Sequence, residues 1–146
     1  MTPTAVIAAL QAGNITDAVL QSAGDLLSVD AAQLSVPEAE RLKTALLDAL
    51  HHEQSPHRAA SLIWVLGKSG DPQFEPIYLQ RLQQYAESIL AANFGVYQVL
   101  IALDNLGAAI FESDAKGRSS QSLMNIENNL RQARAYLSRH ETELPW

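Results

Sequence analysis

The chain has 146 residues, 47% of them hydrophobic and 18% charged, with no cysteine. That composition predicts one ordinary domain over 1–146 and excludes a disordered or collagenous chain, while the missing cysteine excludes disulfides, thiolate metal sites and cysteine nucleophiles. The 16 acidic and 10 basic residues give −6 with neutral histidines, which disfavours nucleic acid or an anionic membrane as the main partner, since phosphate binding requires a positive field.

No segment alternates polar and apolar residues long enough to be a strand. Apolar positions recur at three and four, the helical period, so an all-α chain is predicted. Thr2-Pro3 caps and opens a short helix over about 3–12, which Gly13-Asn14 stops. A second helix runs from about Thr16 to Leu27, capped by Asn14 or Thr16. Its apolar side is Ala18, Val19, Ala23, Leu26 and Leu27, and Gly24 weakens it.

The third helix has the clearest signals. Ser35 caps, Pro37 opens, Glu38 and Glu40 sit in the first turn, and His51 and His52 lie near the end, which suits the helix dipole. Its apolar face is Leu42, Ala45, Leu46, Ala49 and Leu50. A fourth helix opens at Ser55-Pro56 and ends at Gly67 or Gly70. A fifth follows Asp71-Pro72 to about Tyr85, with Pro76 as a place for a kink. Asn93 and Gly95 divide the apolar stretch 88–110, leaving a main helix over about 94–110. Residues 112–118 form a polar loop. A last helix over about 119–141 carries Leu123, Ile126, Leu130, Ala133 and Leu137 at coiled-coil-like spacing, with Glu127 and Arg131 as a favourable pair.

Leu66-Gly67 recurs as Leu106-Gly107, an offset of 40 residues. At that offset Leu42 matches Leu82, Leu50 matches Leu90, and Leu62, Ile63 and Leu66 match Ala102, Leu103 and Leu106. Two helices per repeat of roughly 40 residues is the period of a HEAT-type α-solenoid. Residues 57–82 resemble the HEAT-like repeat of the phycobilisome-lyase type through Arg58, Ala59, Ala60, Leu66, Gly67, Gly70, Asp71 and Pro72. The second copy keeps Ala102 and Leu106-Gly107 but lacks the Gly-Asp-Pro turn. The resemblance covers about 35–110 and implies a short solenoid of about 6–8 helices in pairs, closed by a C-terminal capping helix. An irregular helical bundle with a chance Leu-Gly echo is the plainer alternative.

By period, helix 56–69 buries Ala59, Leu62, Ile63 and Leu66 and turns His57, Ser61, Trp64 and Lys68 the other way. The later helix buries Val99, Ala102, Leu103 and Leu106 and turns out Tyr97, Ile101 and Asp104. In HEAT-like solenoids the second helix of each pair lines the concave surface. The resemblance therefore gathers His57, Trp64, Lys68, Tyr97, Ile101 and Asp104 into one partner-binding patch. Trp and Tyr are frequent interface hot spots; the alternative is that Trp64 packs as core between helix pairs.

Weaker signals yield no site. His51, His52, Glu53 and His57 lack the zincin spacing, and Pro56 breaks the helix between them, so no metal is expected. Asp104, Glu112 and Asp114 do not form an obvious acid–base pair, and Ser119, Ser120 and Ser122 read as a helix cap. No catalytic residue and no cofactor are assigned.

The charge is unevenly spread: residues 1–40 hold five acidic groups and no Lys or Arg, whereas 115–146 hold five basic groups against three acidic. Such a chain is expected to be a non-enzymatic protein-binding module, an adaptor or an inhibitor. In size, charge and repeat type it is similar to small bacterial immunity proteins, which neutralise a basic toxin by masking its active site. The alternatives are a small-ligand-binding or lyase-type HEAT protein and a HEAT-like nucleic-acid binder, which the acidic N-terminal third argues against. The N-terminal apolar stretch is too short and too uncharged for a secretory signal, and no run approaches the ~18 residues of a membrane span. A cytoplasmic protein is expected; the C-terminal helix leaves homodimerisation open.

Overall fold

The computed structural model describes residues 1–87, 93–108 and 123–143, and side chains within these except at 86, 87, 93, 94, 123–128 and 140–143. The described residues are helices, turns and connections, with no strand among them. The fold is all-α: α1 Pro3–Gln11, α2 Asp17–Leu27, α3 Val36–His52, α4 Pro56–Gly67, α5 Glu75–Glu87, α6 Asn93–Asn105 and α7 Leu123–Glu143. Single 3-10 turns cover Ala31–Gln33 and Pro72–Phe74. The chain divides into two compact units, Met1–Gly70 and Asp71–Trp146. No described helix is long and apolar enough to cross a membrane.

In the first unit, each helix start is fixed by a side chain that takes an otherwise orphaned N–H. The Ala5 N–H donates to Thr2 Oγ1 at 3.1 Å, and the Val19 N–H donates to Thr16 Oγ1 at 3.2 Å. Thr16, rather than Asn14, is thus the cap of α2. At α3 the Glu38 N–H donates to Ser35 Oγ at 3.2 Å, and the Ser35 N–H donates back to Glu38 Oε1 at 3.0 Å, a complete capping box. Ser55 accepts from the Arg58 N–H at α4, where Pro56 opens the helix.

α1 packs on α2 and on α3; α4 packs on α2 and on α3. Leu42, Leu46, Leu50, Leu62, Ile63 and Leu66 are wholly buried between them, each worth about 1.5–3 kcal/mol relative to exposure. Two positions differ from the periodic reading. Ala18 is exposed and Leu20 takes its place inside; Ala49 is half-buried at the edge of a cleft.

In the second unit α5, α6 and α7 each touch the other two. The fifth helix does not begin at Pro72. Asp71 accepts the Gln73 N–H at 3.1 Å and caps a 3-10 turn, and α5 starts afresh at Glu75. Pro76 then falls in the first turn, where its missing N–H costs nothing and produces no kink. The main helix α6 ends at Asn105, short of 110, and the segments 88–92 and 109–122 lie outside the described residues.

The two glycines of the Leu-Gly echo do different jobs. Gly67 is a buried, helical residue of α4, and the chain turns three residues later at Gly70, φ +59°. Gly107 itself turns the chain, at φ +89°, and the Ala108 N–H reaches back to the Leu103 carbonyl at 3.3 Å. Leu106 is only half-buried.

Candidate functional site

The expected patch residues fall in different units: His57, Trp64 and Lys68 in the first, and Tyr97, Ile101 and Asp104 in the second. On α4 the period reading holds. His57, Trp64 and Lys68 are exposed, opposite the buried Ala59, Leu62, Ile63 and Leu66. Trp64 is 36% exposed, and Lys68 Nζ stands 5.6 Å from its ring centroid. Two things hold that pair in place. One is their spacing of four residues on one helix face. The other is Gly24 on α2, over which the Lys68 stem lies: a Cβ at Gly24 would meet Lys68 Cδ at 3.2 Å. Ser61, between His57 and Trp64 in sequence, is half-buried and donates to the His57 carbonyl at 3.2 Å.

On α6, Tyr97, Ile101 and Asp104 are half-buried rather than turned fully outward. Val96 and Leu100 join Val99, Ala102 and Leu103 inside. Burial raises the Tyr97 hydroxyl above its ordinary range.

α3 ends at His52 and Pro56 starts α4, so His57 belongs to a different helix from His51 and His52. No group of three or more His, Asp or Glu that could hold a metal is found among the described residues. The His52 Nδ1–H donates to the Asp48 carbonyl at 2.8 Å, the ordinary end of a helix. Glu112, Asp114, Ser119, Ser120 and Ser122 lie outside the described residues, as do the side chains of Glu127, Leu123 and Ile126.

The periodic reading missed two concavities in the first unit. A cleft of about 400 Å³ lies between the end of α1 and α3, with Leu10, Ile15, Ala45 and Ala49 beside Gln11, Asp48, His52 and Glu53. A groove of about 220 Å³ lies where the end of α2, the 3-10 turn and the start of α3 meet. Leu26, Leu27, Ala31, Leu34, Val36 and Ala39 line it, with Lys43 and Ser69 at its edge. Val36 is 79% exposed, and Val29 in the same connection is 80% exposed.

The second unit also buries polar side chains. Asn129 and Gln132 on α7 are buried, as are Tyr78 and Tyr85 on α5. The Tyr78 and Tyr85 hydroxyls and both amide atoms of Asn129 find no hydrogen-bond partner among the described residues. Burial, with the Asp71 carboxylate adding to it, pushes the Tyr78 hydroxyl far above its usual range, which keeps it neutral.

Comparison with known protein families, curated proteins and solved structures yields no match for the chain.

Proposed function

We propose that the protein is a non-catalytic binding module that holds a basic protein partner, acting as an inhibitor of the immunity type or as an adaptor. The observation that carries this reading is Trp64. It is an indole on the free face of α4, 36% exposed and stacked with Lys68. A large aromatic left at the surface and steadied by a neighbour is the residue type that dominates interface energetics. The acidic N-terminal third, with five carboxylates and no Lys or Arg over 1–40, supports a basic partner, because opposite fields accelerate encounter. In this reading His57 and Lys68 flank Trp64 on the binding surface of the first unit, and Tyr97, Ile101 and Asp104 are the candidate contacts on the second. A cytoplasmic setting belongs to the same reading.

The test is capture of a partner by the tagged full chain, followed by titration of the isolated complex. A stoichiometric complex with a basic protein is expected, with an association rate that falls as salt rises. Trp64→Ala should weaken it by roughly thirtyfold, the loss of about 2 kcal/mol typical of a hot spot. Capture of a small molecule or a nucleic acid instead, or a complex indifferent to Trp64→Ala, would overturn the reading.

The cleft between α1 and α3 favours a second reading, a small-ligand binder, since it offers an apolar floor with a few polar groups. Native mass spectrometry of the purified chain distinguishes the two through an added mass.

A further inference from the structure

Resting on the small-ligand reading of the cleft between α1 and α3, we propose that this cleft binds a small organic cation, a protonated amine carried on an apolar body. Three observations converge. First, the cleft suits a small molecule. Its volume of about 400 Å³ falls in the usual range of ligand pockets. Leu10, Ile15 and Ala45 line it and are themselves buried, so its depth takes apolar atoms. Second, the lining contains two carboxylates, Asp48 and Glu53, and no Lys or Arg. Asp48 is exposed and Glu53 half-buried. Neither carboxylate is ion-paired among the described residues. The charge at this cleft therefore selects a cation.

Third, two helices end at this cleft. α1 ends at Gln11 and α3 at His52, and both residues line it. The C-terminal end of a helix carries partial negative charge and favours a cation beside it. α1 has no basic residue in its last turn. At α3, Asp48 and Glu53 add carboxylates near the negative end, an arrangement that works against the helix and favours a bound ammonium. An ammonium also needs acceptors for three N–H groups. The His52 Nδ1–H is given to the Asp48 carbonyl at 2.8 Å, so the neutral imidazole keeps Nε2 as an acceptor beside the two carboxylates. The walls are preformed. Gly13 turns the chain at φ +79°, and the Asn14 N–H donates to the Ala9 carbonyl at 2.9 Å, closing the end of α1. Glu53 Oε1 accepts the Ser55 N–H at 3.3 Å, which holds that carboxylate at the end of α3. A preformed site spends little ordering entropy on binding.

The experiment follows backbone amide shifts of the full chain while one of three probes of nearly equal shape is added: tryptamine, a cation; tryptophol, neutral; and indole-3-acetate, an anion. The comparison protein is the double variant Asp48→Asn, Glu53→Gln, which keeps the shape of both side chains and should keep the wild-type melting temperature. Support would be saturable shifts at 10–15 and 45–53 with tryptamine, binding of tryptophol about tenfold or more weaker, and none of indole-3-acetate. The double variant should then bind tryptamine and tryptophol alike. Ala49→Leu, which places bulk at the edge of the cleft, should weaken both. Tryptamine shifts scattered over the acidic surface, or unchanged in the double variant, would overturn the proposal. The two levels of failure are separable. Tryptophol bound at 10–15 and 45–53 as tightly as tryptamine would remove the cation and leave the small-ligand reading standing, whereas no shift there with any of the three probes would count against both.

Discussion

Ser35 and Glu38 close the start of α3 with two reciprocal hydrogen bonds. The backbone N–H of Ser35 and then its hydroxyl hold the Glu38 carboxyl below its ordinary range, with Arg41 adding to the effect. A carboxyl depressed in the folded state adds stability above its unfolded value and loses it as pH falls through the folded one. The start of α3 should therefore loosen on acidification and not on alkalinisation. Ser35→Ala should cost about 1 kcal/mol in denaturant unfolding, and NMR titration of Glu38 should move back toward an ordinary glutamate. An unchanged titration would show that the box is not formed in solution.

Two helical glycines make an opposed pair of predictions. A Cβ at Gly95 would stand 2.6 Å from Tyr85 Cε2, on a buried ring of α5. Gly95→Ala must push that ring out of place, so a lowered melting temperature is expected despite alanine's better propensity. A Cβ at Gly24 would meet the stem of an exposed lysine, Lys68 Cδ at 3.2 Å, which can shift. There the propensity term, worth about 0.8–1.0 kcal/mol, should win and Gly24→Ala should stabilise. Calorimetry of both variants tests the contrast, and two shifts of the same sign would refute it.

At the scale of elements, the sequence makes α3 and α4 legible because cap, opening proline and apolar period all agree there. Ser35 with Pro37 and Ser55 with Pro56 mark the starts, and the buried leucines follow at three and four. The signal weakens where one cue has two uses. Pro72 and Pro76 both read as helix openers or breakers, and only the 3-10 turn at Pro72–Phe74 assigns the opening to Glu75. The outward side was legible on α4, where His57, Trp64 and Lys68 are exposed, and less so on α6, where Tyr97, Ile101 and Asp104 are half-buried. The groove at 26–39 was not legible, since it depends on how a turn joins two helices and not on any helix's period. On α7 the leucine stripe gives way to Asn129 and Gln132 as buried residues. Asn129 is 1% exposed and neither amide atom is matched among the described residues. Replacing such a group by an apolar one of similar size removes a desolvation cost of about 1–3 kcal/mol. Asn129→Leu should raise the melting temperature of the chain; a fall would mean that the amide is matched by something buried with it.

At the scale of the molecule, the charge of −6 is shared evenly by the two units. Residues 1–70 hold seven acidic and four basic groups, and 71–146 hold nine and six, so each carries −3. What distinguishes the first unit is segregation, with its cations confined to Arg41, Lys43, Arg58 and Lys68. It also contains its own core: Val6, Leu10, Val19, Ala23, Leu46 and Leu62 are buried in the packing of α1 to α4. Each of its helices is capped from within the unit, and Gly70 ends it in a left-handed turn that only glycine adopts without strain. A domain of this length buries roughly 60% of its unfolded surface, enough for many such domains to fold alone. Residues 1–70 expressed by themselves should therefore be helical by far-ultraviolet circular dichroism and should melt in a single cooperative transition. A sloping, uncooperative melt would mean that the first unit draws essential stability from residues beyond 70, and that the two units fold as one.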